Sequence, residues 1–304
     1  MIKVTLPDGS VKEMAQGVTP MDVAKSISEG LARNVISASY NGTTIETTTT
    51  LTTDGTLILF TWNDVAGKKA FWHSTSHVMA QALEELYPGI KLTLGPAIDN
   101  GFYYDVDFGD QKITDADFKK IEDRVLEISR EKHEFKMRPV SKAEALEVYK
   151  NNEYKTELIS NLEDGTITFC DHANFFDLCR GGHIPNTGII KAMKILSVAG
   201  AYWRGDEKNK QLTRVYGISF PKQKDLTDYL ELLEEAKKRY PIGTIFISPQ
   251  NRQQYTVTLY KNNVSLGVLY SVLTGTMYIC VGNNNALFSC TAISTLMFDQ
   301  SVKN

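Results

Sequence analysis

The sequence lacks any hydrophobic run long enough to cross a membrane, which takes roughly 18 to 20 consecutive apolar residues. Its first residues also lack the apolar core of a secretory signal. Neither sign of charge dominates, because 33 Lys and Arg stand against 36 Asp and Glu, a formal net charge of -3. With 42% hydrophobic residues, this balance excludes a disordered, collagen-like or histone-like chain. We therefore expect a cytoplasmic protein with no membrane or DNA partner.

Short motifs that define several enzyme classes are also missing. No GxxxxGKS/T phosphate loop, GxGxxG dinucleotide fingerprint or HExxH zinc-protease helix occurs. The four cysteines have no CxxC spacing and no secretory context, so free thiols are expected rather than disulfides. At 304 residues, the chain has room for about two domains and a small third one.

Residues 1–62 have the pattern of a small mixed sheet packed on one helix. Apolar and polar residues alternate in the first strand, and residues 7–10 (PDGS) are typical of a hairpin turn. Thr19 is the predicted N-cap of a helix that begins at the next residue, a proline. Further strands are predicted over residues 35–40 and 57–62. This arrangement resembles the β-grasp fold of ubiquitin.

Residues 63–225 form a larger predicted unit of class α+β. Helical periodicity predicts one long helix over residues 68–87 and another over residues 115–132. Turn-rich, strand-like segments lie between and after these helices, which is typical of α+β domains. A charged amphipathic helix over residues 226–239 is predicted to act as a connector.

The last 65 residues have a different composition from the rest. They contain four charged residues, Arg252, Lys261, Asp299 and Lys303, whereas the preceding 239 residues contain 65. We assign no fold to the segment 240–304. Its low charge and abrupt onset favour a frameshifted or misassembled continuation, with a small domain of its own or an artefact as alternatives.

Two pairs of residues with the same spacing are the main candidates for chemistry. His73 and His77 stand four apart on the helix predicted over 68–87, so their side chains face the same way. Cys179 and His183 show the same offset. A single pair of this kind is often incidental, but two pairs among five histidines and four cysteines favour one shared site. Three imidazoles and a thiolate can bind Zn²⁺ tetrahedrally or position a water for hydrolysis, and spacing alone leaves both open.

Two other segments combine aromatic residues with turns or with charge. Residues 94–105 (LGPAIDNGFYYD) would let the backbone approach a ligand at Gly95 and offer the hydroxyl of Tyr104. A buried aromatic hairpin explains this segment equally well. Residues 199–214 interleave basic and aromatic side chains, as RNA-binding surfaces do, and a solvated charged turn is the alternative.

Five motifs, in order along the chain, resemble the amino-terminal half of bacterial threonyl-tRNA synthetases. They are LPDGS (6–10), AFWHSTSHVMAQAL (70–83), LGPAIDNGFYYD (94–105), DLCRGGHIPNTG (177–188) and GAYWRGDEKNKQLTRVYG (200–217). The resemblance covers residues 1–239. It identifies residues 1–62 as a TGS domain and residues 63–225 as an editing domain of the type shared with alanyl-tRNA synthetases.

This resemblance implies a proofreading hydrolase that cleaves the ester of tRNA(Thr) mischarged with serine. Serine keeps the hydroxyl of threonine and lacks one methyl group, a difference worth only about 1 to 3 kcal/mol in a binding pocket. A second site is therefore needed to remove errors. The matching positions give an editing pocket formed by His73, His77, Cys179 and His183 and supported by Asp177, Lys155 and Tyr104.

The resemblance favours a site without a metal. Zn²⁺ held by the four pocket residues is the alternative, since related alanyl editing sites bind zinc. One position departs from many relatives, which have CRGPH where this chain has Gly182 in place of proline. A glycine there is expected to loosen the loop slightly while leaving both ligand-like side chains in place.

The resemblance stops at residue 239, where relatives continue into a catalytic domain that uses ATP and Mg²⁺ and then into an anticodon-binding domain. Beyond that point this chain has a single arginine, Arg252, too few to hold a triphosphate. We expect no aminoacylation from this polypeptide alone. Two further hypotheses are a noncatalytic fragment that binds the tRNA acceptor end and a nonfunctional truncated product.

Overall fold

The structure, a computed structural model, describes residues 1–239, 255–261, 264–271 and 289–292. The chain divides into two compact units, Met1–Leu226 and Thr227–Asn304. Helices occur with one mixed sheet and several antiparallel sheets, which confirms the predicted α+β class. Within the described ranges, no helix combines the length and the apolar character that a membrane span requires.

The first part of unit 1 is a five-stranded mixed sheet with a helix packed on it. Its elements are β1 (Ile2–Thr5), β2 (Val11–Met14), α1 (Pro20–Ile27), α2 (Glu29–Ala32), β3 (Val35–Tyr40), β4 (Thr43–Ile45) and β5 (Gly55–Thr61). The strand order is β2-β1-β5-β3-β4, with β1 and β5 parallel and the other neighbours antiparallel. Its core includes Val4, Val23 and Leu57. This is the β-grasp arrangement that the pattern predicted.

Local sequence accounts for the start of the helix in this part. Thr19 accepts a hydrogen bond from the Asp22 N–H through its hydroxyl, and the Asp22 carboxylate accepts one from the Thr19 N–H. This reciprocal capping satisfies two donors that a helix end otherwise leaves free. The predictions of Thr19 as N-cap and of a strand over residues 35–40 are confirmed, and the strand predicted over 57–62 lies at Gly55–Thr61.

The rest of unit 1 contains two antiparallel sheets and four helices. Its elements are α3 (Val65–Leu86), β6 (Lys91–Leu92), β7 (Ala97–Ile98), β8 (Gly101–Asp107), α4 (Phe118–Arg130), β9 (Lys136–Pro139), α5 (Lys142–Val148), α6 (Glu153–Ser160), β10 (Thr168–His172), β11 (Phe175–Leu178), β12 (Ala192–Tyr202) and β13 (Gln211–Phe220). The larger sheet has the order β12-β13-β8-β6, with β7 also paired to β8. The smaller sheet has the order β11-β10-β9.

Both long helices predicted for this part are confirmed. The one predicted over 68–87 is α3, and it packs against β8 on one side and against α4 on another. Every residue from Ser74 to Leu83 is buried, so α3 is a core helix rather than a surface one. The helix predicted over 115–132 is a single 3₁₀ turn, Asp115–Asp117, followed by α4. The buried position of α3 is what places its histidines inside the protein.

The boundary between the two units falls within α7 (Gln223–Arg239), which begins three residues before the predicted connector. In unit 2, β14 (Tyr255–Lys261), β15 (Val264–Ser271) and β16 (Ser289–Ala292) form an antiparallel sheet of order β15-β14-β16. Most of the segment 240–304 lies outside the described residues, including Arg252 and Cys280. Among the described cysteines, Cys170 and Cys179 are free thiols, as predicted.

Candidate active site

The two pairs of residues with the four-residue offset lie together at one site. His73 and His77 project from the same face of α3, with ring centroids 4.7 Å apart. Cys179 comes directly after β11, and His183 follows in the same loop. One ligand atom from each of the four residues lies within 4.8 Å of those of the other three. Their proximity is therefore a property of the fold.

Cys179 is the central residue of this group. Its Sγ lies 3.1 Å from Nε2 of His73 and 3.3 Å from Nε2 of His183. Burial by itself raises the pKa of the Cys179 thiol, but His77 and the hydrogen bonds from His183 and His73 lower it well below its usual range. The surroundings therefore favour a thiolate, as cationic neighbours do for reactive cysteines.

Asp177 lies two residues before Cys179 on β11 and is bound by two buried side chains. Its Oδ1 is 2.5 Å from Nζ of Lys155 on α6, and its Oδ2 accepts a hydrogen bond of 2.5 Å from the hydroxyl of Tyr104 on β8. Burial by itself raises the pKa of Asp177, but Lys155 and His77 hold it below its usual range. Burial and Asp177 keep the pKa of Tyr104 well above its usual range, so its hydroxyl remains a donor. The three residues predicted to support the pocket thus form one hydrogen-bonded group.

His77 connects this group to the cysteine. Its Nδ1 lies 3.3 Å from Asp177 Oδ2, yet neither ring nitrogen has a partner in hydrogen-bond geometry among the described residues. Burial lowers the pKa of this imidazole, whereas the charges of Cys179 and Asp177 raise it, and the net result is about 9. His77 is therefore a cationic donor at neutral pH with room for an additional partner.

The other two imidazoles differ from each other in charge. Burial lowers the pKa of His73 and outweighs the opposing effect of Cys179, so His73 is neutral. For His183, burial acts in the same direction, but hydrogen bonds to Cys170, Cys179 and Glu46 raise its pKa well above the usual range. The site thus places a neutral imidazole next to cationic ones, which is a favourable arrangement for proton transfer.

A half-open cavity of about 370 Å³ reaches this site. Five of the polar residues form part of its wall, namely His73, His77, Lys155, Asp177 and Cys179. Much of the remaining wall is apolar and includes Leu94, Leu158 and Leu162. His183 and Tyr104 do not line the cavity. They contact Cys179 and Asp177 from within the protein.

Two more groups contact the pocket, one in the segment 94–105 that was predicted to approach a ligand and one that no motif indicated. The backbone carbonyl of Gly95 accepts a 2.6 Å hydrogen bond from Ser76 Oγ and lies 3.4 Å from Nδ1 of His73. Glu46, from the loop after β4, contacts His183. Glu46 belongs to no local motif, so nothing near it in the sequence indicates a contact with a histidine 137 positions away.

The aromatic and basic segment 199–214 is held largely by partners within the protein. Trp203 is buried, and its Nε1 donates to Glu157 Oε2 at 2.8 Å. Arg214 donates to both carboxylate oxygens of Asp105, at 2.6 and 2.8 Å. These contacts stabilise the fold, so they weaken the hypothesis that this segment is mainly a surface for RNA.

The four residues His73, His77, Cys179 and His183 are also able to bind a metal ion. Imidazole nitrogens and a thiolate are the ligands that Zn²⁺ prefers in proteins. The unpartnered nitrogens of His77 fit such a role once the ring has released a proton, because buried imidazole nitrogens normally have a partner. Within the described part of the chain, no second cluster of three or more such residues occurs. The donor set therefore fits zinc.

Comparison with known proteins defines the class to which this fold and site belong. Residues 2–61 match the TGS domain family, and residues 167–216 match the threonyl and alanyl tRNA synthetase second additional domain. The second match covers β10, β11 and the loop with Cys179 and His183. Two parts of the chain therefore match domain families, and the part with Cys179 and His183 matches one named for threonyl and alanyl tRNA synthetases.

The N-terminal part of the chain is similar to one kind of these enzymes. It is 86% identical over 239 residues to the threonine--tRNA ligase of Flavobacterium johnsoniae and 83% identical over 239 residues to that of Flavobacterium psychrophilum. Identity to the enzyme of Parabacteroides distasonis is 57% over 241 residues. Each match covers 79% of this chain and 37% of the relative, so the chain spans about 37% of the length of these relatives. The N-terminal part of the chain thus carries a TGS domain and the second additional domain, and it is similar to threonine--tRNA ligases, as the motifs implied.

Proposed function

We propose that this site hydrolyses the ester of seryl-tRNA(Thr), as the proofreading part of a threonine--tRNA ligase. The observation that carries the proposal is the buried group of three imidazoles and one thiol that opens, beside Lys155, onto a cavity of about 370 Å³. The family of its two domains supports a tRNA as the partner. In this proposal the TGS domain comprises residues 1–62 and the editing domain residues 63–225.

His73 is the proposed base. It is neutral and lines the cavity, and an Nε2–H that donates to the Cys179 thiolate at 3.1 Å leaves the lone pair on Nδ1. Nδ1 takes a proton from a water molecule, whose oxygen attacks the carbonyl carbon of the ester. The bond between that carbon and the ribose oxygen breaks, and the proton on His73 passes to the ribose oxygen. The products are serine and a free tRNA hydroxyl.

Lys155 is proposed to stabilise the negative charge that develops on the carbonyl oxygen. Its ammonium lies in the cavity wall, and Asp177 holds it in a fixed position. A preorganised charge in a buried site stabilises a transition state more strongly than a mobile one in water. We propose that the cavity wall beside these groups disfavours the extra methyl group of threonine.

His73, His77, Cys179 and His183 would together hold Zn²⁺. When bound, the metal would supply a Lewis acid that polarises a water molecule or a carbonyl oxygen. The proton transfers assigned above to His73 and the charge stabilisation by Lys155 use side chains of the chain itself.

The proposal is tested by deacylation of seryl-tRNA(Thr) by the full chain, with threonyl-tRNA(Thr) as the second substrate. We expect serine to be released much faster than threonine. His73→Ala should lower the rate at least about 100-fold, the scale of general base catalysis. His133→Ala is the matched control, because His133 is partly exposed and pairs with Glu131 away from the cavity. A wild-type rate equal to that of the control without protein would refute the proposal, even if tRNA binds.

A further inference from the structure

A carboxylate from the first domain reaches the candidate active site in the second. Oε1 of Glu46, in the loop after β4, lies 3.1 Å from Nδ1 of His183. The same oxygen accepts a 2.9 Å hydrogen bond from the N–H of Gly182. The side chain of His183 is fully buried, and that of Glu46 is 14% exposed. A single carboxylate therefore binds two neighbouring groups of the loop that carries Cys179.

His183 is held at both ring nitrogens. Its Nε2 faces Cys179 Sγ at 3.3 Å, and its Nδ1 lies 3.1 Å from Glu46 Oε1 and 3.6 Å from Cys170 Sγ. The ring of Phe135 is stacked on the imidazole, with centroids 5.3 Å apart and planes 11° apart. A carboxylate at Nδ1 accepts a proton but donates none, so Nδ1 must carry the hydrogen. Carboxylate–histidine contacts of this kind fix the orientation of a functional imidazole.

The backbone of the loop is shaped to lie against the first domain. Gly181 and Gly182 have φ of 98° and 90°, a region that favours glycine. A Cβ atom on Gly181 would lie 3.1 Å from Glu46 Oε1, and one on Gly182 would lie 3.5 Å from the methyl group of Thr44. Proline at position 182 would have no N–H to donate to Glu46 and could not adopt this φ. The glycine that departs from the CRGPH pattern is therefore the residue that makes the contact with Glu46 possible.

We propose that Glu46 is a positioning residue of the editing site. It fixes the Nδ1 proton and the orientation of His183, and through His183 it fixes the position of Cys179. The site is then shared between two domains, and the TGS domain contributes to hydrolysis as well as to any binding of tRNA. This inference rests on the proposed function for the reaction that Glu46 assists. The contact between Glu46 and His183 does not depend on the substrate.

The first test needs no tRNA. In the full chain with ¹⁵N-labelled histidine, a hydrogen-bonded Nδ1–H of His183 gives a slowly exchanging downfield proton signal, which His183→Asn assigns by its loss. We expect Glu46→Ala to abolish this signal, Glu46→Gln to shift it upfield and Glu46→Asp to retain it. Glu13→Gln, at an exposed position of β2 in the same domain, should leave it unchanged. A signal in Glu46→Ala identical to that of wild type would overturn the inference.

The second test measures deacylation of seryl-tRNA(Thr) by the same variants. Glu46 does not line the cavity, so substitution should lower kcat and leave KM unchanged. Loss of such a carboxylate partner typically costs about 10- to 100-fold, which is the expected fall in kcat for Glu46→Gln. Glu46→Asp should recover most of the activity.

The outcomes separate the inference from the proposed function. An inactive wild-type chain would refute the proposed reaction, and the histidine spectra would still decide whether Glu46 holds His183. A kcat for Glu46→Gln equal to that of Glu13→Gln would overturn the positioning role. Thermal unfolding of each variant shows whether the fold is retained, and the recovery by Glu46→Asp distinguishes loss of the carboxylate from general damage.

Discussion

Nζ of Lys155 lies 2.5 Å from Oδ1 of Asp177, and both side chains are at most 4% exposed. Asp177 also accepts hydrogen bonds from the Tyr104 hydroxyl and from the N–H of Leu178. These contacts satisfy a carboxylate that would otherwise be very costly to bury. The pair joins α6 to β11, so it holds the cavity-lining ammonium close to the loop that carries Cys179.

This ion pair predicts that removing one of its two charges lowers the free energy of unfolding more than removing both. Lys155→Met removes the ammonium that contacts the buried Asp177 carboxylate, which should lower the free energy of unfolding by about 3 to 5 kcal/mol. The double variant Lys155→Met/Asp177→Leu should recover part of that loss, because neither charge remains. Urea unfolding of the full chain measures both values.

An exposed pair provides the control for this experiment. Lys119 and Asp123 form an i,i+4 pair on α4, with side chains 76% and 52% exposed. Lys119→Met should change the free energy of unfolding by less than about 1 kcal/mol, as is usual for surface pairs. If Lys155→Met costs no more than Lys119→Met, the buried pair contributes no more than an exposed one.

His172 predicts how stability depends on pH. The residue is 2% exposed, neither of its ring nitrogens has a hydrogen-bond partner among the described residues, and it packs between Phe135 and Phe175. Burial lowers the pKa of His172 from 6.5 to about 3. The folded state therefore binds fewer protons than the unfolded state between these pH values, and its contribution to stability is lost as pH falls from 6.5 towards 3.

Because of this one group, the free energy of unfolding should fall by up to about 1.4 kcal/mol per pH unit as pH decreases. His172→Leu should remove that part of the acid sensitivity, so the difference between wild type and variant should change as pH falls below 6.5. His133→Leu, at a partly exposed histidine, is the comparison. Parallel stability curves for wild type and His172→Leu, measured by urea unfolding across this range, would contradict the prediction.

Much of this architecture follows from local sequence signals. The helical period places His73 and His77 on one face, and a threonine followed by proline fixes the start of α1. A motif in one loop places Cys179 and His183 close together. These features depend on residues a few positions apart, which is the range over which periodicity and capping act.

The features that were missed depend on long-range packing. Glu46 and His183 are 137 positions apart, and nothing near Glu46 indicates its partner. Trp203 lies among basic residues, as a base-stacking residue on an RNA-binding surface would. It is nevertheless buried against Tyr154 and donates a hydrogen bond to Glu157. Composition cannot tell a buried aromatic from an exposed one when both lie next to charged residues.

The arrangement around Cys179 predicts metal binding in solution. The four donor groups already lie within 4.8 Å of one another, so little reorganisation is needed to surround an ion. We expect the full chain to bind one Co²⁺ and to show the thiolate-to-cobalt absorption of a tetrahedral site. Cys179→Ser should abolish that band, whereas Cys170→Ser should retain it, because Cys170 lies outside this group of donors. Titration without such a band would exclude Cys179 as a ligand.

The close packing around Gly95 predicts that one added methyl group disturbs the surroundings of both Asp177 and His73. A Cβ atom at this position would lie 2.2 Å from Cδ2 of the Tyr104 ring and 3.0 Å from Ser76 Oγ. Tyr104 is fully buried and binds Asp177, while the Gly95 carbonyl faces His73. Gly95→Ala therefore cannot be accommodated without moving the tyrosine or the carbonyl.

We expect Gly95→Ala to lower the free energy of unfolding by about 1 to 3 kcal/mol, the usual cost of overpacking a core. The rate of seryl-tRNA(Thr) deacylation should fall as well, at temperatures where the variant is still folded, because both His73 and Asp177 lose a fixed partner. Gly30→Ala is the control, since the nearest atom to its Cβ is Ser28 Oγ at 3.8 Å. A variant that unfolds like wild type and hydrolyses at the wild-type rate would show that the contact between Gly95 and Tyr104 is not needed to position the site.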